Sequence, residues 1–366
     1  MAGLQGATSG SSDLPAIPAS YVFIKSNQFG LIENGKIALR QNVNLNGFLW
    51  RDGYSWSNSG RYFAFFNSNP MYAEEYEGRS IYVIDIRTKE VSSILCPRCT
   101  GLTPSDSDKF IVAKVEKFES PAVLYQVDLG SADRVFVPVT VAMPEEVEEF
   151  ELVAGTSKSV LLLARMTGVK TSKNLYLTGS GRQTMALMNS SSQTFRITAR
   201  ASAKHVNLEK IAVNVTATGV CAANSQVIVI DATSGRVDRT DTSAVVPPER
   251  LGEKGFSFDA QDLWWGRGGM LYGSFYTWNC EDGFPSSSTT STHIYKLEGN
   301  RWVKVSDTPL ISQLELGQGV GAFIAPTNDP LEFHNMGIPV EGVLYHRIGD
   351  KETRLATNVF AILAPW

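Results

Sequence analysis

Cysteine is the residue type in this chain whose spacing most directly suggests metal or redox chemistry. Cys96-Pro-Arg-Cys99 has the C-x-x-C spacing of a redox motif or of half a zinc site. A redox pair favours a helix N-terminus that makes the thiol more acidic, and no helix is predicted here. A zinc site needs two further ligands nearby, and the sequence has no second C-x-x-C and no H-x-H. We therefore expect either a structural clip or two free thiols.

The remaining cysteines and the histidines give weaker signals. Cys221 and Cys280 fall in long predicted loops of adjacent repeat units, and we expect them to form a disulfide if the protein lies outside the cytoplasm. The histidines are not paired at i, i+2 or i+4, so we predict neither a metal site nor a cofactor. They are His205, His293, His334 and His346.

Motifs of hydrolytic and phosphate-binding enzymes are absent from the sequence. There is no G-x-S-x-G nucleophile elbow and no repeated S-x-D-x-G-x-x-W box. Gly266-Arg-Gly-Gly269 lies between two predicted strands, where it is typical of a turn rather than of a phosphate-binding loop. We therefore predict no catalytic residues and no enzymatic activity.

Seven pairs of predicted β-strands joined by short turns divide the chain into units. The first pair is joined by Asn34-Gly35, the strongest two-residue hairpin signal, because both positions accept a positive φ. A tyrosine recurs at one point of five units, with a spacing of about fifty residues that is typical of propeller blades or solenoid repeats. These tyrosines are Tyr82, Tyr125, Tyr176, Tyr295 and Tyr345.

A second strand pair precedes most of these hairpins, and Tyr54–Phe66 is the clearest example. Its counterparts are Gly101–Val115, Phe150–Arg165, Phe195–Val215, Phe256–Tyr276 and Leu314–Ala325. The segments alternate with period two and are rich in Val, Ile, Tyr and Phe, which excludes helical repeats. Four strands per unit define a propeller blade. We predict an all-β, seven-bladed β-propeller of four-stranded antiparallel blades.

One blade carries a motif that resembles a known family. Trp56-Ser-Asn-Ser-Gly-Arg-Tyr-Phe-Ala-Phe65, followed by Ile81-Tyr-Val-Ile-Asp-Ile-Arg-Thr88, resembles the blade motif of TolB-type, WD40-like propellers. Pro104–Phe110 is a partial match, and the other blades carry only the Ile/Leu-Tyr strand and the hairpin turn. The resemblance implies the fold and, through the role of TolB-like propellers, a scaffold or envelope sensor module.

The last nine residues, Asn358–Trp366, are predicted to close the ring. They contain a buried strand that needs a partner, and the first strand, Tyr21–Asn27, lacks one. Pairing the two makes residues 21–366 a single domain. Residues 1–20 are rich in Gly, Ser, Thr and Pro and are predicted to be a flexible tail.

The amino-acid composition bears on the partners and on the cellular compartment of the protein. The net charge is −4 without a basic block, which argues against nucleic acid as a partner, and no apolar run approaches the length of a membrane span. Charged residues are only 19%, which favours an extracytoplasmic (periplasmic or cell-surface) setting over a cytoplasmic one. The tail lacks a signal-peptide core, so a native cytoplasmic start and a start after a removed signal or anchor both stay open.

Five long loops between the second and third strands of a blade are predicted to share one face. They are Asn67–Arg79, Met166–Lys173, Thr216–Gln226, Thr277–Thr292 and Pro326–Glu341. Aromatic tips inside acidic rims suit a protein or peptide that carries Lys or Arg, although each tip alone could simply pack within its loop. The predicted partner-binding residues are Tyr72, Glu74, Glu75, Tyr76, Trp278, Asp282, Phe284, Phe333 and His334.

We therefore predict a non-enzymatic protein- or peptide-binding module that is a monomer or part of a larger complex. The alternative is a propeller-type hydrolase that acts on a glycan or peptide at the central channel, where two facing carboxylates would be required. Trp264 and Trp265 lie together in an inner strand, and we expect them in the core between blades rather than on a ligand platform.

Overall fold

The chain is built almost entirely from β-strands wherever its structure is described. The computed structural model describes residues 20–43, 53–67, 77–116, 122–166, 173–179, 183–188, 198–205, 209–216, 226–247, 250–251, 255–281, 284–317, 319–327 and 341–365. Its strands form seven antiparallel sheets of four strands each, which confirms the predicted seven-bladed β-propeller. Within these ranges, no helix is long and apolar enough to cross a membrane.

The seven blades follow one another along the chain. Only blade 1 combines strands from the N-terminal and the C-terminal part of the chain. Blade 1 consists of β1 (Ser20–Lys25), β2 (Gln28–Glu33), β3 (Lys36–Asn42) and β28 (Ala361–Leu363). Blade 2 consists of β4 (Tyr54–Trp56), β5 (Tyr62–Phe66), β6 (Ser80–Asp85) and β7 (Val91–Leu95). Blade 3 consists of β8 (Cys99–Pro104), β9 (Lys109–Val115), β10 (Ala122–Asp128) and β11 (Val137–Val139). Blade 4 consists of β12 (Val147–Gly155), β13 (Val160–Met166), β14 (Lys173–Thr178) and β15 (Met185–Met188).

The remaining blades repeat this order, with the first strand of each innermost. Blade 5 consists of β16 (Thr198–His205), β17 (Lys210–Thr216), β18 (Gln226–Asp231) and β19 (Val237–Arg239). Blade 6 consists of β20 (Phe256–Trp265), β21 (Leu271–Glu281), β22 (Phe284–Glu298) and β23 (Arg301–Lys304). Blade 7 consists of β24 (Ser312–Gly317), β25 (Val320–Pro326), β26 (Gly342–Ile348) and β27 (Lys351–Val359).

The C-terminal strand closes the ring as predicted. β28 pairs antiparallel with β1, with Phe23 opposite Ile362, and the Phe360 amide donates to the Ile24 carbonyl at 3.1 Å. Blade 1 therefore takes its innermost strand from the end of the chain. This pairing covers the backbone groups of both terminal strands, which would otherwise be exposed sheet edges.

Apolar clusters fill six of the seven seams, where a seam is the interface between two neighbouring blades. Between blades 1 and 2, for example, Phe29 stacks on Phe65 with ring centroids 3.9 Å apart. Blades 7 and 1 are joined by a cluster that includes Phe23, Leu344 and Ile362. Among the described residues, the seam between blades 6 and 7 holds only Tyr276, Trp278 and Cys280 as a buried apolar cluster.

A buried histidine sits at the junction where the ring closes. The Tyr21 hydroxyl and His346 Nδ1 are 3.2 Å apart, and both residues are buried. Asn34 and Gly35 form the predicted hairpin turn, with φ values of 50° and 74°. A Cβ on Gly35 would lie 2.6 Å from His346 Cδ2, so this glycine also makes room for the imidazole. Burial lowers the pKa of His346 and raises that of Tyr21.

We expect His346 to make the fold less stable as the pH falls. The unfolded chain takes up a proton near pH 6.5, whereas the buried imidazole resists protonation, so stability is lost below that pH. The maximum slope for one such group is about 1.4 kcal/mol per pH unit. Guanidinium unfolding midpoints at pH 7.5 and pH 5.5 measure the effect.

The matched variant is His346→Phe, which keeps a ring at this position and cannot titrate. Its midpoint should change less between the two pH values than that of the wild type. His346→Phe should not remove the pH dependence of the midpoint entirely, because a second histidine contributes to it. Burial and the neighbouring Lys304 also lower the pKa of His293. Equal pH dependence in wild type and variant would contradict the assignment to His346.

Candidate functional site

Of the predicted loop face, the structure describes the strand ends that flank the loops. The residues at the loop tips lie outside the described ranges. Four loops start and finish where predicted: β5 ends at Phe66 and β6 starts at Ser80, for instance. Seven of the predicted partner-binding residues lie outside the described residues, so their role stays a prediction. They are Tyr72, Glu74, Glu75, Tyr76, Asp282, Phe333 and His334.

The fifth predicted loop, Thr277–Thr292, is wrong, because the sheet of blade 6 continues through most of it. β21 and β22 pair as far as Glu281 opposite Phe284, and Phe256 of β20 pairs with Asn279. Threonine and aromatic residues favour extended backbone, which lets the strands continue where a loop was expected. We call the segment Thr277–Thr292 the blade 6 extension.

Trp278 belongs to a buried cluster instead of an exposed tip. Its side chain is 3% exposed and its ring centroid lies 5.3 Å from that of Tyr276. The prediction of an exposed anchor at Trp278 is therefore corrected: Trp278 is a buried residue of β21. Asp282 lies outside the described residues, and of Phe284 the structure describes the backbone pairing with Glu281.

Every cysteine that the structure describes is disulfide-bonded. Cys280 is bonded, and its amide donates to the Gly255 carbonyl at 2.8 Å; its predicted partner, Cys221, lies outside the described residues. Cys96 and Cys99 are bonded to each other with 5.6 Å between their Cα atoms. Of the two expectations for this pair, the structural clip is therefore the one observed.

The Cys96–Cys99 clip holds the connection between blades 2 and 3. Arg79 is buried beside it, with its guanidinium 3.8 Å from the centroid of the Phe66 ring. The same guanidinium donates to the Cys99 carbonyl, and the Cys96 amide donates to the Arg79 carbonyl at 2.9 Å. These contacts fix the end of a predicted loop, Asn67–Arg79, to the neighbouring blade.

Three of the carboxylates on the inner strands are engaged in structural contacts. Arg165 donates to Glu149 at 2.8 Å, and this hydrogen bond lowers the pKa of Glu149. Lys173 pairs with Glu151, and Asn214 donates to the buried Asp259. Among the described residues, no group of three or more His, Cys, Asp or Glu is placed to hold a metal ion.

A small cleft opens between blades 6 and 7, and Trp264 is part of its wall. Trp265 is 6% exposed and belongs to the core, as expected, but Trp264 is only half-buried. Trp264 stacks on Tyr272 with ring centroids 5.8 Å apart and planes 9° apart. Gln313 and Glu315 of β24 form the opposite wall, and the cleft is small, with room for about one water molecule.

Burial and two opposite charges shift the pKa of Tyr272 in this cleft. Burial raises the pKa of the Tyr272 phenol, and the negative charge of Glu315 raises it further, more than the charge of Lys296 lowers it. Lys296 forms an ion pair with Glu298 at 2.6 Å. Glu315 is exposed and has no ion pair within 4.0 Å among the described residues.

Several solved propeller structures superpose on the chain with TM-scores below 0.5. No protein-family model and no curated protein sequence matches the chain. The β-propeller domain of the Trilobed protease from Pyrococcus furiosus superposes with a TM-score of 0.47 at 12% identity, covering 90% of this chain and 87% of that one. A prolyl endopeptidase gives 0.49 at 12% identity, covering 95% of this chain, which spans 50% of that enzyme. The Cps50 (Swd1) propeller domain of Myceliophteria thermophila gives 0.46 at 11% identity, covering 84% and 90%.

These comparisons correct one prediction. The expectation that the chain is not an enzyme is corrected, because the solved structures that superpose on it are mostly propeller domains of peptidases and glycoside hydrolases. Identities of 11–12% restrict the likeness to the fold, so no reaction is transferred to this chain. The seven-bladed ring is confirmed, and the TolB type of propeller stays a prediction.

Proposed function

We propose that this propeller binds a protein or peptide partner on the face that carries its long loops. The observation that supports this most directly is the blade 6 extension. β21 and β22 have 11 and 15 residues, whereas the corresponding strands of blade 2 have 5 and 6. The paired strands of blade 6 therefore reach further toward this face than those of blade 2, and residues on strands are held more precisely than residues on loops.

Local contacts brace the base of this extension. The Arg250 guanidinium lies 4.1 Å from the centroid of the Phe256 ring, and Leu251 forms a bridge with Phe256. Tyr276, Trp278 and Cys280 form a small buried cluster on one face of β21, in the seam with blade 7. Packing and a disulfide at Cys280 thus hold the β21 side of the extension in place, and a binding surface held in place loses less entropy when a partner binds.

The proposed partner carries basic side chains, because the loop face is rich in acidic residues. Glu281 is exposed at the end of β21, and the predicted tips add Glu74, Glu75 and Asp282. Long-range attraction between opposite charges raises the rate of association and selects partners by charge.

We place the protein in an oxidising, extracytoplasmic compartment. Disulfides persist in such compartments and are rare in the cytosol. All three described cysteines are disulfide-bonded, and Cys96 and Cys99 are almost fully buried. A scaffold or sensor role in the cell envelope is consistent with this setting.

Peptide display against the intact propeller tests the proposed face. Selected peptides should be enriched in Lys and Arg, and a Tyr72→Ala/Tyr76→Ala/Glu281→Lys variant should bind them at least about tenfold more weakly, about 1.4 kcal/mol. Trp278 is left unchanged because it is buried, and replacing it would test stability instead of binding.

The control is Lys89→Ala/Lys351→Ala, which changes the short hairpins on the opposite face. It should bind the selected peptides with unchanged affinity. Equal loss of binding in the control, or equal binding in the loop-face variant, would refute the assigned face. A selection that yields no peptide above background would refute peptide binding.

A further inference from the structure

The Cys96–Cys99 clip is a four-residue turn with an unusual residue at its third position. The Cys99 amide donates to the Cys96 carbonyl at 3.3 Å, and the disulfide joins the two side chains. Pro97 precedes Arg98, whose φ is 61°. A proline followed by a positive φ is typical of a type II turn, in which the third position is usually glycine or asparagine. An arginine held in this conformation points to a role for its side chain.

The Arg98 side chain joins two neighbouring loops at their bases, the residues next to the flanking strands. Its guanidinium forms an ion pair with Glu77, near the end of the Asn67–Arg79 loop, and donates to the carbonyl of Glu116. Glu116 directly follows β9 and begins the connection to β10 in blade 3. The backbone of the turn contributes as well, because the Val115 amide donates to the Arg98 carbonyl at 3.0 Å.

The groups that Arg98 contacts are themselves attached to the two blades. In blade 3, the Tyr125 hydroxyl of β10 donates to the Glu116 carboxylate at 2.9 Å, and this hydrogen bond raises the pKa of Tyr125. In blade 2, the buried Arg79 guanidinium donates to the Cys99 carbonyl. Arg98 therefore completes a continuous set of contacts from β10 of blade 3 to the loop base of blade 2.

We propose that Arg98 is a positioning residue of the loop face. The Cys96–Cys99 disulfide holds it in the left-handed conformation, and its side chain fixes the bases of the blade 2 and blade 3 loops relative to each other. The consequence for binding rests on the proposed function: the blade 2 loop carries four of the predicted partner-binding residues, and a surface fixed before binding loses less entropy.

Lys89 offers a matched comparison on the opposite face. Its φ is 64°, and its ammonium forms an ion pair with Glu33 of the neighbouring blade at 2.7 Å. Arg98→Gly and Lys89→Gly each relieve a positive φ and remove one ion pair. In both variants the guanidinium unfolding midpoint should stay close to that of the wild type, because this relief offsets the larger entropy of glycine in the unfolded chain.

Amide hydrogen exchange of the intact protein tests whether Arg98 couples the two loops. One reporter is the Ser80 amide, which donates to Asn67 Oδ1 at 2.7 Å at the base of the blade 2 loop. The other is the Val115 amide of blade 3. Arg98→Gly should accelerate exchange at both amides at least about threefold, because it removes partly exposed charged contacts to both loops. Lys89→Gly should change neither rate.

A Cys96→Ala/Cys99→Ala variant tests whether the disulfide acts through Arg98. It should accelerate exchange at the same two amides, and adding Arg98→Gly should change their rates little further, because the turn is already released. The Thr156 amide of blade 4, which donates to the Ser159 carbonyl at 2.8 Å, reports any loss of overall stability. Fully additive effects would show that Arg98 acts without the disulfide and would overturn its assigned part.

Peptide binding provides the functional measurement. Arg98→Gly should bind the peptides selected against the wild-type propeller at least about threefold more weakly, whereas Lys89→Gly should bind them with unchanged affinity. Unchanged peptide affinity in Arg98→Gly would overturn the positioning role, and so would a lower unfolding midpoint with faster exchange at Thr156, which would mark a general structural role.

The exchange rates are measured without a partner, so the two proposals fail separately. Unchanged exchange at Ser80 and Val115 in Arg98→Gly would refute the coupling of the loops even if peptides bind to the loop face. A selection that yields no peptide would refute peptide binding, and faster exchange at both amides would still establish that Arg98 couples the loops.

Discussion

An Ile362→Asp substitution is expected to destabilise the propeller by at least about 4 kcal/mol, the range of a severe core defect. Ile362 is 2% exposed, pairs with Phe23, and packs in the cluster between blades 7 and 1. A carboxylate there would be buried without a cation and would break the pairing of β28 with β1. The guanidinium unfolding midpoint at pH 7.5 measures the loss.

Ile348→Asp is the matched control, because it makes the same chemical change at a position of the neighbouring blade 7 that is 58% exposed. It should cost less than about 0.5 kcal/mol. Opening the ring should also expose the amides of Val22 and Ile24, so their hydrogen exchange should accelerate more than that of amides in blade 4. An Ile362→Asp midpoint equal to that of the control would show that the closing strand contributes little to stability.

The closing strand could be predicted because its apolar run can be recognised in the local sequence and the strands can be counted blade by blade. Val359–Leu363 is an apolar run left over after the blades are assigned, and Tyr21–Asn27 is a first strand without an inner neighbour. The structure pairs these segments with Val22 opposite Leu363. Strand ends were predictable for a similar reason: β13 ends at Met166 and β14 begins at Lys173, where the alternation stops and resumes.

The blade 6 extension could not be predicted, because its segment lacks the alternation that marks a half-buried strand. Phe284-Pro-Ser-Ser-Ser-Thr-Thr-Ser-Thr292 is almost uniformly polar. Its pairing with β21 depends on tertiary features, among them the disulfide at Cys280 and the packing of Trp278 on Tyr276. Patterns of hydrophobicity do not report such constraints.

The cleft was missed for a different reason, although a signal for part of it was present. Adjacent residues of a strand point to opposite faces, so Trp264 and Trp265 could not both fill the same seam. Trp265 faces blade 5, and Trp264 must face blade 7. That the opposite wall would be Gln313 and Glu315 instead of apolar residues depends on how two blades meet, which no local pattern determines.

Trp302→Ala is expected to cost about 3–5 kcal/mol, as is typical of a large aromatic side chain removed from a core. Trp302 is 1% exposed, and its ring meets that of Phe275 edge-on with centroids 4.8 Å apart. Its indole N–H donates to the Thr240 hydroxyl at 2.9 Å, which ties blade 6 to the segment that follows blade 5. Chemical denaturation of the variant measures the cost.

Two milder variants divide that cost between packing and hydrogen bonding. Trp302→Phe keeps a ring against Phe275 but leaves the Thr240 hydroxyl without its donor, and should cost about 1–3 kcal/mol. Thr240→Val removes the acceptor and should cost a similar amount. If Trp302→Phe were as damaging as Trp302→Ala, the hydrogen bond to Thr240 would dominate, and blade 6 would be held to blade 5 by one polar contact instead of by its core. Packing should dominate, because Trp302 also fills the space above Gly273, where an added Cβ would lie 3.3 Å from its ring.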